Sequence, residues 1–377
     1  MSAMKRTDAS TGSIRFLALP RKGWIAIFGA VVWLLPIASA QDEKTASAPA
    51  PNWTGTWAIA QTRDNSGKTF TDCTLRQIVR ISVGSKSVRL KLSNLFGMQP
   101  LRVEDVHLAL RRSGSAIVGS SDHQLRFEGS TKLVIPAGAS ALSDPVAFDV
   151  PALAELTVSM YLPGTTGSAS SRGSGHQTSY VEAGDASSAP QMTNAETTRS
   201  VYFVTGLDVE GPSLAGSIVT LGASITEGYT AADDSDHRWP DQLALRLIGQ
   251  GISVGVLNLG ISGNRLLVDG AGESAEKRFE RDVLQQPNIR WVIFSDDPIN
   301  DLGNEPSPSG EELIAGLQRL IARAHEKKIR FLCSTLSIRG GQILDARRGT
   351  GKAEGQQLYS RLGQRLRWNC GSGWRYA

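Results

Sequence analysis

The rhythm of the chain changes at Ser217, and that change constrains the fold more than any other feature. Between Trp53 and about Val181 the apolar residues fall in short alternating runs, LRQIVRISVG, SVRLKLSN, VHLALRRS, KLVIPAG, VAFDV and LTVSMYLPG, parted by glycine, proline, serine and asparagine. A period of two buries one face of a strand and leaves the other wet, so this half reads as antiparallel sheets in a β-sandwich or jelly roll. From Ser217 the apolar runs lose their alternation. SIVTL, SVGVLNLG, RWVIFS and IRFLCSTLSI are separated by the helical patterns WPDQLALRLIG, SAEKRFERDVLQQ and EELIAGLQRLIARAHEKK. Strands apolar on both faces, alternating with helices, predict a parallel sheet covered on its two sides. Residues 182–212 show weak periodicity apart from the run Val201 to Val204, and are expected to connect the two halves.

A chain of 377 residues exceeds what one core ordinarily supports. The expected division is a signal peptide over 1–40, a linker over 41–52, a β-domain with its connection over 53–212 and an α/β domain over 213–377. In the leader Lys5, Arg6, Arg15, Arg21 and Lys22 precede the apolar stretch Trp24 to Leu35, and Ala38-Ser39-Ala40 follows. Positive, apolar, then small-x-small is the order of a secretory signal cleaved after Ala40, which predicts a secreted or periplasmic protein with no stable membrane span after cleavage. A net charge of +4, part of it in the leader, builds no strong field, so nucleic acid is not an expected partner. Export would place Cys73, Cys333 and Cys370 in an oxidising compartment, where an odd number leaves at least one thiol unpaired. Their scatter, without Cys/His spacing, argues against a zinc site.

Ligands of parallel sheets bind beyond the carboxyl ends of the strands. That rule selects three loops: GASITEG after SIVTL, GISGNR after the second run and DDPINDLG after the third. Ser224 has two readings. It caps a helix, or it is a nucleophile, which needs small neighbours, amides aimed at a developing oxyanion and a base within reach. Gly222 and Ala223 supply the small neighbours. The second loop, Gly260 to Asn264, is a plain glycine turn, or else Gly263 offers an N–H unhindered by a side chain to an oxyanion. It also resembles half of a dinucleotide fingerprint, although the GxGxxG order directly after the first strand is missing. In the third loop Asn300 and Asp301 fit an Asx turn, or Asn300 directs an uncharged NH₂ donor into a cavity.

Together the three loops, in this order and on these strands, resemble the first three sequence blocks of the SGNH (GDSL-type) hydrolases, which run Gly-Asp-Ser, a glycine block and Gly-x-Asn-Asp. RWPDQLALRL, VLNLGISGNRLL, RDVLQQPNIRWVIF and LIARAHEKKIRFLCSTLSIRGG extend the likeness over residues 217–341. WTGTWAIAQ, TLRQIVRISVG, LRVEDVHLAL and GASALSDPV resemble the N-terminal domain that precedes the hydrolase in one bacterial branch. The resemblance implies a flavodoxin-like three-layer αβα domain preceded by a β-sandwich or jelly roll, and a serine esterase that needs no cofactor and no metal. Carried over position by position, it implies that Ser224 is the nucleophile and that Gly263 and Asn300, with the Ser224 backbone amide, form the oxyanion hole. Small-molecule, lipid and acetylated-carbohydrate esters are the substrates it implies.

Three departures accompany the likeness. Ala223 stands where the family has aspartate, and Pro298 stands where it has the glycine of Gly-x-Asn-Asp. The Asp-x-x-His block that, in the family, lies near the C-terminus and supplies the base and its orienting carboxylate has no counterpart there, so the catalytic His and Asp are expected not to be present. Of the histidines, His107, His123 and His176 lie in the β-rich half; His237 reads as a solvated loop residue and His325 as a partner for a helix C-terminus. The tail after about residue 341 is basic, glycine-rich and without a fifth strand pattern, as in a truncated or frame-shifted end. Without triad partners a serine hydrolase retains roughly 10³ to 10⁴ over the uncatalysed rate, so an impaired esterase is expected. The alternative is a non-catalytic carbohydrate or cell-surface binding protein with a degenerate hydrolase domain. Nucleotide binding at Gly260 to Asn264 is a third.

Overall fold

Each alternating run of the first half becomes an antiparallel strand in the computed structural model, which describes residues 52–334. The strands that organise this region are β1 (Trp53–Ala58), β2 (Thr71–Arg80), β3 (Ser85–Ser93), β4 (Leu101–Ser113), β5 (Val146–Val150), β6 (Glu155–Thr165), β7 (Ser170–Arg172), β8 (Ser179–Ala183) and β9 (Val204–Glu210), with shorter strands between them. One sheet runs β1-β9-β3-β5 and a second runs β8-β2-β6-β4, while β7 pairs between Thr62–Arg63 and Val201–Tyr202. The period of two is visible in β3, where Val88, Leu90 and Leu92 are buried and Arg89 and Lys91 between them are not. These join Leu75 and Val79 of β2, Leu108 of β4, Leu156 and Val158 of β6 and Leu207 and Val209 of β9 in one hydrophobic cluster. Each such side chain contributes roughly 1.5–3 kcal/mol by leaving water.

Residues 182–212 are more than a connection. They carry β9, which lies between β1 and β3 in the first sheet. Asp208 breaks the apolar pattern of that strand, yet it is buried, and Arg89 of β3 donates to its carboxylate at 2.8 Å. Burial pushes the Asp208 carboxyl up, and the Arg89 charge opposes that shift.

After Gly216 the chain forms the parallel sheet that its apolar runs predict. Strands β10 (Ser217–Leu221), β11 (Gly255–Asn258), β12 (Ile289–Phe294) and β13 (Arg330–Cys333) are ordered β11-β10-β12-β13. All five residues of β10 are buried, as a strand covered on both faces requires. Helices α1 (Ser224–Glu227), α2 (Trp239–Gly249), α3 (Ala275–Phe279), α4 (Asp297–Leu302) and α5 (Gly310–Glu326) intervene. Ser309 and Glu312 form a reciprocal capping box that starts α5, whose apolar stripe of Leu313, Leu317, Leu320, Ile321 and Ala324 enters a second hydrophobic cluster with Val219, Leu257 and Val292. The single helix expected over 274–286 stops at Phe279 and continues as a π-helical turn over Glu280–Leu284. Among the described residues no helix is long and apolar enough to cross a membrane.

The β-rich region meets the parallel sheet where β1 crosses β11. Gly55 carries no side chain because Leu257 Cδ1 would lie 2.9 Å from its Cβ, and a Cβ on Gly255 would overlap the Gly55 carbonyl oxygen at 1.9 Å. Ser217 Oγ donates to that same carbonyl at 3.2 Å, and Val256 N donates to Ser82 Oγ at 2.9 Å. The signal peptide, most of the linker, Cys370, the end of the fourth apolar run and the tail after Gly341 lie outside the described residues.

Candidate active site

Parallel register brings the three selected loops to one edge of the sheet. Thr220 pairs with Asn258 and Leu221 with Phe294, so β10, β11 and β12 end side by side. The loops that leave them are then bonded to one another in a closed circuit. Ile261 N of the second loop donates to Gly222 O of the first at 3.0 Å. Ala223 N and Ile225 N of the first loop donate to the Asp296 carboxylate of the third at 2.9 and 2.8 Å. Asn300 Nδ2 of the third segment donates to Asn264 O of the second at 2.8 Å.

Asp296 decides between the two readings of Ser224 as far as the helix cap is concerned. Ala223, not Ser224, occupies the N-cap position of α1, and no side chain at that position caps the helix. The two amide N–H groups that flank Ser224 are taken by the Asp296 carboxylate, which is 3% exposed and also accepts from Thr226 Oγ1 at 2.8 Å and Ser295 Oγ at 2.6 Å. Consequently neither the hydroxyl nor the N–H of Ser224 has a hydrogen-bond partner among the described residues. With alanine at position 223, the carboxylate that ties the first loop to the third comes from the third loop. Gly222 permits it, since a Cβ there would stand 2.5 Å from Asp296 Oδ1 and 2.2 Å from Thr226 Oγ1.

Gly263 lies within a turn closed by Asn264 N donating to Ile261 O at 2.9 Å, and its φ of +75° is one that glycine adopts without strain. The turn reading and the donor reading are therefore compatible. Its own N–H has no acceptor among the described residues. Gly260 lets the second loop press against α1, because a Cβ there would lie 2.4 Å from Glu227 N. Asn300 is half-buried within α4 rather than in an open loop. Pro298 occupies the first turn of that helix, where its missing N–H costs nothing, so proline replaces the loop glycine by starting a helix. Asp301 is buried and accepts from Leu266 N and Leu267 N, which fixes the segment after Gly263; burial pushes its carboxyl up against those bonds.

Beneath the loops lies a charged group that no sequence pattern marked. Arg278 is fully buried, donating to Leu259 O at 2.8 Å, to Asn264 Oδ1 at 3.0 Å and to Gly222 O at 3.5 Å. Its guanidinium also stands 3.3 Å from Asp282 and 3.9 Å from Asp297. Both carboxylate oxygens of Asp297 are buried without a hydrogen-bond partner. Burial therefore outweighs the Arg278 charge, and the Asp297 carboxyl is pushed up to about 7.

His176 reaches the end of α1, where a Cβ on Gly228 would stand 3.0 Å from its Nε2. His237 and His325 are exposed, while His107 bonds Asp122 within the β-rich region. His176 is buried, with its Nδ1 unbonded and 3.7 Å from Asp233; burial and the nearby Arg238 charge hold its pKa below the ordinary value. Asp296 and Arg278 escaped the sequence reading because each acts on partners far along the chain, Asp296 on an amide 73 positions away and Arg278 on a carbonyl 56 positions away.

Residues 220–368 match the GDSL-like lipase/acylhydrolase family, a segment that runs past residue 341. No curated protein matches the chain. Among solved structures, the SGNH-hydrolase family esterase AlinE4 is 21% identical over 41% of this chain and 73% of that one, with a TM-score of 0.33. The acetyl xylan esterase AlAXEase is 19% identical over 39% and 72%, with a TM-score of 0.30. A family two carbohydrate esterase from Cellvibrio japonicus is 14% identical over 85% and 84%, with a TM-score of 0.32.

Proposed function

Because this chain belongs to the GDSL-like lipase/acylhydrolase family through residues 220–368, we propose that it hydrolyses carboxylic esters by way of an acyl-enzyme on Ser224. One observation carries the assignment of that residue: Asp296 takes over the capping of α1 and leaves the hydroxyl and the N–H of Ser224 without partners among the described residues. In this reading the Ser224 hydroxyl attacks the ester carbonyl carbon and its proton passes to water. The carbonyl oxygen becomes an oxyanion, met by the N–H groups of Ser224 and Gly263 and by the second N–H of the Asn300 amide, whose first is held by Asn264 O. The alcohol departs, and water then hydrolyses the acyl group from Ser224.

In this reading the esterase is impaired, its rate resting on the oxyanion donors and on binding, roughly 10³ to 10⁴ above the uncatalysed reaction. The hydrophobic clusters, one drawn mostly from the β-rich region and the other mostly from the parallel sheet and its helices, support reading a β-sandwich or jelly-roll domain over 53–212 and a flavodoxin-like three-layer αβα domain that begins at 213. The order of charges, apolar residues and Ala38-Ser39-Ala40 supports export to the periplasm or beyond. Turnover of p-nitrophenyl acetate by the full chain, compared with Ser224→Ala, tests the chemistry. Turnover that vanishes in the variant supports it, and equal turnover in both proteins overturns it.

A further inference from the structure

Helix α1 is a single turn of four residues, too short to hold its own shape, so neighbours must hold it. At its start this is done by Asp296, and along its flank by Gly260 and by Asn258 Nδ2, which donates to Glu227 O at 3.4 Å. Its far end is held from the other half of the molecule. The Glu227 carboxylate is buried against the guanidinium of Arg172, the last residue of β7, with the two side chains only 9% and 6% exposed. All three residues of β7 are buried between flanking strands, so the arginine projects from a fixed support.

The contact continues beyond α1. Asp234 accepts from Thr178 N at 2.7 Å and Thr178 Oγ1 at 2.6 Å, and Asp234 N donates to His176 O at 3.0 Å. Asp236 accepts from Gln177 Nε2 at 2.7 Å and stands 3.3 Å from Arg80, while Asp233 accepts from Arg199 at 2.9 Å. The segment after the candidate nucleophile is thus gripped over ten residues by the β-rich region.

We propose that Arg172 is a positioning residue for Ser224, acting through Glu227, so that the β-rich region sets the geometry of the reaction. The inference rests on the acyl-enzyme reading above. Ser224 and Glu227 are three residues apart on one turn and share a face, so releasing Glu227 lets the turn rotate and carries the Ser224 hydroxyl and N–H away from the Gly263 N–H. A displacement of about 1 Å in a reacting group costs on the order of 10²-fold in rate. Isolated loss of the arginine would also leave a buried carboxylate uncompensated, which confounds positioning with folding. A double replacement separates them.

In the full chain, Arg172→Met combined with Glu227→Met removes both charges. The expected result is a fold as stable as the parent, a Ser224-dependent kcat for p-nitrophenyl acetate lower by about 10²-fold, and KM within about two-fold. Arg172→Lys, which keeps the charge, restores part of kcat. Amide hydrogen exchange reads the turn directly, because Gly228 N and Tyr229 N both donate to Ser224 O, at 3.0 and 2.7 Å. Faster exchange at these two amides in the double variant supports the proposal, and unchanged exchange or an unchanged kcat overturns it. If the parent chain shows no Ser224-dependent turnover, the acyl-enzyme reading falls, and exchange at Gly228 and Tyr229 alone decides whether Arg172 holds the turn.

Discussion

Asp296→Asn isolates the group that holds the serine turn. The carboxylate accepts Ala223 N and Thr226 Oγ1 on one oxygen and Ile225 N on the other, with Ser295 Oγ as a further donor. An asparagine has one acceptor oxygen, so its NH₂ must face either Ala223 N or Ile225 N, donor against donor. One hydrogen bond to a charged acceptor is lost, about 1.5–3 kcal/mol, and a buried amide is left unsatisfied, about 1–3 kcal/mol. These terms overlap, which places the total near 3 kcal/mol, or about a hundred-fold in an equilibrium constant. Urea unfolding followed by tryptophan fluorescence measures the stability, and p-nitrophenyl acetate turnover measures the serine. A variant within about 0.5 kcal/mol of the parent, with undiminished turnover, would show that Asp296 does not hold α1.

Asp297 gives a pH signature. Its carboxyl lies at about 7 in the folded chain against an ordinary 3.8, so its contribution to stability is complete below the unfolded value and is lost as pH rises through about 7. The shift corresponds to at most about 4 kcal/mol, and Asp297→Asn should unfold at higher urea than the parent at about pH 8 while matching it near pH 4; parallel pH profiles would refute this. Gly260→Ala places a methyl 2.4 Å from Glu227 N, and the expected outcome is loss of Ser224-dependent turnover with destabilisation of about 1–3 kcal/mol by urea unfolding. Asn300→Ala removes the proposed oxyanion donor together with the bond to Asn264 O, and kcat should fall by about 10²- to 10³-fold in steady-state assays.

What could be read from the sequence was governed by the range of the interactions involved. Alternating runs such as SVRLKLSN announce strands because period two depends only on neighbours, and β3 lies where that run predicts it. Strand β9 was hidden because Asp208 sits in its middle as a buried charge, which makes sense only once Arg89 lies beside it. The carboxyl-end rule located the loops of Ser224, Gly263 and Asn300, since strand polarity follows from the alternation of strands and helices. That α4 is a helix was signalled by Asp297-Pro298, an acidic residue and a proline suited to a first turn. Asp296, Arg278 and Arg172 carried no local signal. Charged residues ordinarily face water, and only tertiary contacts reveal these as buried supports of the loops.

Everything proposed for the chemistry depends on Ser224 having a hydroxyl that no structural bond occupies. Incubation of the full chain with diethyl p-nitrophenyl phosphate, followed by peptide mass mapping, reads this out as a diethylphosphoryl group transferred to one side chain. Modification of Ser224, absent in Ser224→Ala and slowed in Asp296→Asn, is the expected result. A chain modified elsewhere, or equally with Ser224 removed, would contradict it.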